Sequence, residues 1–147
     1  MDLDAIRQCV HSDDFTALKR DPETAAKYNQ YRSDIVKEWV SIEDVVKVKY
    51  LGATVKETES GLKYASYPCD LNSDELRYSL HPNKYPYDVA KDVRHMVLWV
   101  NRPMLPPYQV NALLSMELGS SQFFWFEQDT NYKSVKGVWH VHVFVKS

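Results

Sequence analysis

The sequence predicts an α+β protein: helices packed on one face of a largely antiparallel sheet, with a helical N-terminal third. Three observations predict it. Before about residue 40, apolar residues recur at spacings of three and four. Beyond that point, short runs rich in Val, Trp and Phe are punctuated by Gly, Pro and Asn. One further segment, "PPYQVNALLSMELG", interrupts those runs with a helix pattern. At 147 residues the chain is expected to form one domain over 1–147, helical over 1–40 and sheet-bearing, with a histidine motif, over 41–147.

The first strong element is "RDPETAAKYNQYRSDIVKEWV". Asp21 is placed to cap it, Pro22 suits the first helical position, and Glu23 suits the dipole there. Tyr28, Tyr31, Ile35 and Trp39 then form one stripe. "HSDDFTALKR" before it is read as a short separate helix. "SIEDVVKVKYLG" is ambiguous: Ser41 to Asp44 reads as a capped turn, and "VVKVKYL" alternates like a strand. "ATVKETESGLKYASYP" suggests a hairpin turning near Ser60-Gly61. "DLNSDELRYSLHPNKYPYDVAKD" has no sustained period and reads as a long irregular segment, the kind that often carries function.

"VRHMVLWVN" is a strand, with His95, Val97 and Trp99 on one face and Met96, Leu98 and Val100 on the other. "PPYQVNALLSMELG" is a helix with proline at its start and Gly119 past its end. "QFFWFEQ", the polar turn "DTNYKSVKG" and the strand "VWHVHVFVKS" complete the chain.

Composition narrows the function classes. A net charge of −2 with no basic stripe argues against a general nucleic-acid binder, but leaves room for one phosphate-bearing small molecule. Cys9 and Cys69 stand in no disulfide or zinc spacing. The acidic N-terminus does not read as a signal peptide, and no apolar run is long enough to span a membrane. A cytoplasmic setting with no membrane partner and no cofactor is the expectation.

The chemistry is concentrated in "VWHVHVFV". Strand residues i and i+2 share a face, so His140, His142 and Phe144 point one way while Val141, Val143 and Val145 point the other. A β-branched face suits helix packing, and a histidine face suits a cleft. If the strand headed by His95 lies alongside, three imidazoles converge. Three chemistries use such a cluster: histidine attack on a phosphate, metal ligation, or binding of a ligand anion or hydroxyl. A half-buried structural pair is the alternative. No acid lies close to the pair in sequence, which weakens the metal reading. Trp99 shares the face of His95 and is the best candidate for stacking a base or sugar. Lys133 and Lys136 flank the last turn and could meet a phosphate, Tyr85 and Tyr87 could line the mouth, and the face of Trp125 is left open by the unknown strand pairing.

The order "YPYDVAKDVRHMVLWVN", then "FFWFEQDTNYKSVKGVWHVHVF", resembles the fungal N-acetylglucosamine-induced protein family over roughly residues 81–146. The resemblance rests on the Tyr-Pro-Tyr loop, the strand opening on His95, the Trp125-Phe126 strand, the Lys133–Val135 turn and the final H-x-H strand. It implies a domain of unknown function and induction by an amino sugar, not a reaction. A looser similarity is to the histidine-triad nucleotide hydrolases and transferases, whose middle histidine attacks an α-phosphate. That similarity implies His142 as nucleophile, His140 orienting it and Ser134 holding a phosphate oxygen, with Phe144 standing where a third histidine would be.

The functional expectation is histidine-dependent phosphoester hydrolysis or transfer on a nucleotide or sugar phosphate, with His95 as acid/base or phosphate contact. A non-catalytic ligand- or protein-binding module is the second reading, and a histidine-ligated metal enzyme the third.

Overall fold

The structure is a computed structural model and describes residues 1–66, 75–128 and 133–146. Three helices come first: α1 (Leu3–His11), α2 (Pro22–Glu38) and α3 (Ile42–Leu51). A hairpin follows, β1 (Thr54–Glu57) and β2 (Lys63–Ser66), then β3 (Tyr78–Pro82), β4 (Val93–Val100), α4 (Pro107–Leu118), β5 (Gln122–Phe126) and β6 (His140–Lys146). The four later strands form one antiparallel sheet in the order β3-β4-β6-β5, so β4 and β6 are its interior strands.

Local chemistry sets the helix ends. Asp2, Asp21 and Ser41 each accept a backbone N–H from three residues on, capping α1, α2 and α3. Gly52 closes α3 at φ 75°, a left-handed conformation that a side chain resists. The hairpin turns where expected: Gly61 takes φ 87° and Thr58 and Leu62 bond across it.

The valine face of the sheet packs as predicted. Leu98, Val100, Val141, Val143 and Val145 meet Val110, Leu113 and Leu114 of α4. The N-terminal helices form a second layer on the histidine face. Leu3 and Ile6 of α1 pack with Phe126 and Phe144, while Val46 and Leu51 of α3 pack with Val97 and Trp99.

Three local readings change. "VVKVKYL" is part of α3, because the Ser41 cap starts a helix and Val45, Val46 and Leu51 form its buried side. Apolar alternation over so short a run does not separate strand from helix. The first helix lies earlier than "HSDDFTALKR", at Leu3–His11, where Leu3 and Ile6 supply the buried stripe. The irregular segment contains β3, which hydrogen-bonds to β4. Cys69 and part of the polar turn before β6 lie outside the described residues. Among the described residues no helix is long and apolar enough to cross a membrane.

Candidate functional site

Strand register builds the histidine cluster. β4 and β6 pair so that Trp99 stands opposite His140, Val97 opposite His142 and His95 opposite Phe144. All six side chains share one face. His95 and His142 sit diagonally, with His95 Nε2 2.8 Å from His142 Nδ1. The expected convergence is present.

The hydrogen bonds fix where the protons are. His95 Nδ1 accepts the Tyr87 backbone N–H at 3.0 Å. A neutral imidazole that accepts at one nitrogen carries its proton on the other, so His95 Nε2 donates to His142 Nδ1. By the same rule, His142 carries its proton on Nε2. His140 is reversed: its Nδ1 lies 2.8 Å from the Val138 carbonyl oxygen, which can only accept. His140 Nε2 is therefore a bare lone pair.

Burial holds all three rings neutral. His95 is 4% exposed and its pKa is pushed from 6.5 to about 3, by burial first and then by the Arg20 charge. Burial also holds His142 well below 6.5, helped by His95, His140, Arg20 and Lys133. His140 is lowered as well: burial and Lys133 outweigh its Val138 bond and the Glu127 charge.

His140 and His142 also line a cavity of about 90 Å³, bounded by α2, α3, the β3–β4 loop and the turn before β6. Among the described residues, the buried side-chain atoms without a partner are Arg77 Nε and Trp139 Nε1. Both histidines line the cavity, and among the described residues their Nε2 atoms have no hydrogen-bond partner. One offers a donor and the other an acceptor.

The cavity is cationic. Arg20, Lys49 and Lys84 line it, and among the described residues no carboxylate lines it and none of the three pairs with one. Arg20 donates from Nε to the Tyr85 carbonyl at 2.7 Å and lies 4.2 Å over the Tyr28 ring. Lys84 Nζ stands 5.7 Å from the Tyr31 centroid, and Lys49 Nζ 5.8 Å. These ring faces hold the cations in place without neutralising them.

The sequence candidates divide. Trp99 and Ser134 line the cavity with the two histidines. Trp99 stacks on Tyr50 at 5.7 Å and leans on His140 at 4.5 Å, and Ser134 Oγ accepts the Tyr28 hydroxyl at 2.6 Å. Tyr87 supports rather than lines: its N–H orients His95, its ring packs 4.6 Å from that imidazole, and Tyr85 takes the lining place.

Three candidates are corrected. Trp125 pairs with Val143, which puts it on the valine face, where its Nε1 donates to Asn111 of α4 at 2.8 Å. Phe124 and Phe126 take the histidine face instead. Lys133 lies 2.6 Å from Glu127 in an ion pair that occupies its charge. Lys136 opens with it on a separate depression beside Arg102 and Trp139. Neither lysine lines the histidine cavity.

Sequence reasoning missed Arg20, Lys49, Lys84, Tyr50 and Asn83, which come from three separate parts of the chain (the segment before α2, α3 and the β3–β4 loop) and carry no common motif. Among the described residues no group of three or more His, Cys, Asp or Glu is placed to hold a metal ion. His95 and His142 turn ring nitrogens on each other instead.

Comparison with known proteins agrees with this architecture. The chain is 21% identical to N-acetylglucosamine-induced protein 1 of Candida albicans over 96% of its own length, and it spans 66% of that protein. It shares the fold of the crystal structure of HTC1 at a TM-score of 0.65 and 19% identity, covering 99% of this chain and 85% of that one. A family described as "Protein of unknown function (DUF3605)" matches residues 2–114, and the chain belongs to that family.

Proposed function

We propose that the histidine cavity binds a small phosphate-bearing molecule and that the protein hydrolyses or transfers its phosphoester. One observation carries the reading: two buried, neutral imidazoles of fixed and opposite polarity face a cavity lined by Arg20, Lys49 and Lys84, with no carboxylate among the described lining residues. Such a site suits an anion that needs both cationic compensation and a proton acceptor.

The histidine roles exchange relative to the triad analogy. His142 Nδ1 is occupied by His95 and its Nε2 carries the proton, so it donates to a phosphoryl oxygen rather than attacking. His140 has the free lone pair: it takes the proton that the attacking water or acceptor hydroxyl gives up, relayed through the phosphate oxygen it contacts, as the new P–O bond forms, and returns it to the ester oxygen as that P–O bond breaks. His95 acts on the ligand only through His142 and is a positioning residue.

The cavity is small beside the roughly 300–1,000 Å³ typical of pockets for drug-sized ligands. That favours a sugar phosphate over a whole nucleotide. An N-acetylhexosamine phosphate is the first compound to assay, since the Candida relative is named for induction by N-acetylglucosamine. The restricted volume also supports a second reading, a binding module without turnover.

A panel of sugar phosphates and nucleotides, assayed for released phosphate and for binding, tests both. His140→Ala is expected to lower turnover about 10²-fold or more. Turnover that survives His140→Ala intact refutes the catalytic role, and binding without turnover in the wild type favours the module.

A further inference from the structure

The polarity of the histidine pair carries information about the ligand beyond its negative charge. The chain of bonds starts at the Tyr87 backbone N–H, which no pH change in the ordinary range removes. It runs through His95 to His142 and leaves a donor, His142 Nε2–H, on the cavity wall. His140, tied to the Val138 carbonyl, leaves an acceptor beside it, the two rings 5.8 Å apart. A fully ionised anion satisfies the first and opposes the second, because two lone pairs then face each other at a largely buried wall.

Resting on the reading of this cavity as a phosphate site, we infer that it selects the singly protonated phosphate of a monoester. The P–OH donates to His140 Nε2 and an unprotonated oxygen accepts from His142 Nε2–H. Fully ionised monoesters, sulfate esters and phosphodiesters lack the donor and are discriminated against. Arg20, Lys49 and Lys84 attract each of these anions and favour the more highly charged one, so the selection for the protonated form rests on the His140 contact.

Among the described side chains on the wall, His140 Nε2 is the acceptor of fixed polarity; the Tyr31, Tyr50, Tyr85 and Ser134 hydroxyls can turn to donate or to accept. Arg20 precedes α2, which presents Tyr28 and Tyr31, and α3 presents Lys49 and Tyr50. The β3–β4 loop presents Asn83, Lys84 and Tyr85, and the last turn presents Ser134. The Asn83 carbonyl is taken by the Tyr85 N–H at 2.9 Å, and Ser134 Oγ by the Tyr28 hydroxyl. Lys133 and Glu127 form an ion pair off this wall, and His95 faces it only through His142.

Calorimetric titration of the whole chain with methyl phosphate, a monoester whose dianion keeps no P–OH, and, separately, sulfate, from about pH 5 to about pH 9, tests the inference. Methyl phosphate affinity is expected to fall roughly tenfold per pH unit once the ester loses its last proton, since one proton is then required for binding. Sulfate, which carries no proton over this range, is expected to bind at least about tenfold more weakly than methyl phosphate at the acid end. His140→Gln, whose amide can turn an N–H toward the anion, is expected to bring the two affinities together.

Equal affinity of the wild type for the two anions overturns the inference while leaving an anion site standing. Sulfate binding that strengthens as pH falls also overturns it, because it means His140 has become a donor. Binding of neither anion at any pH removes the phosphate reading on which the inference rests.

Discussion

Acidification below neutrality should destabilise this protein in a pH window set by its buried histidines. His95 titrates at 6.5 when unfolded and at about 3 in the fold, so between those values the unfolded chain holds a proton that the native state refuses. Stability then rises with pH across the window and is lost as pH falls from 6.5. The slope is about 1.4 kcal/mol per pH unit for His95, or about 2 kcal/mol between pH 6.5 and pH 5. His142 and His140 are depressed for the same reason, burial, and steepen the slope toward a limit of about 4 kcal/mol per unit. Ordinary carboxylates are already ionised above about pH 5 and contribute little there. Urea denaturation of the wild type and His95→Asn at several values across the window measures the effect. The variant, which cannot titrate, is expected to lose about 1.4 kcal/mol per unit of the slope. A wild-type stability that is flat from about pH 6.5 to about pH 5, or an unchanged slope in the variant, refutes the burial of neutral imidazoles.

Three further outcomes follow from single contacts. Trp125→Phe removes the 2.8 Å bond to Asn111 and should cost about 0.5–1.5 kcal/mol in a urea titration while leaving anion affinity unchanged, because the ring sits on the valine face. Ser41→Ala removes the α3 cap and the hydroxyl that steadies Asp44, which itself accepts the Ala65 N–H at 2.8 Å; a loss of about 1 kcal/mol or slightly more is expected by the same method. Lys49→Met and Lys84→Met should each lower phosphate affinity up to about fivefold and flatten its dependence on ionic strength, read by calorimetry at two salt concentrations.

The central strand of the site was legible because its face is set by a period of two. The run from His140 to Val145 sorts into histidine and valine faces with no further information; both faces are buried, and the packing partners follow the division, α4 on the valines and α1 on Phe144. The pairing that brings His95 to His142 was legible only as a condition, since register across strands depends on contacts distant in sequence. Trp125 shows the cost of a single register step: one residue along β5 exchanges it with Phe124 and Phe126. In α3 a capping serine competed with a short alternating run, and the tertiary need to cover Val97 and Trp99 fits the helix. The cationic lining was not legible, because Arg20, Lys49 and Lys84 belong to three separate elements of a chain whose net charge is −2.

The account depends on where the imidazole protons reside, and nitrogen NMR of the histidine side chains reads that directly. At neutral pH, ring ¹⁵N shifts and long-range proton correlations should show three neutral rings, with the proton on Nε2 in His95 and His142 and on Nδ1 in His140. An imidazolium at any of the three, or a His142 protonated on Nδ1, contradicts it.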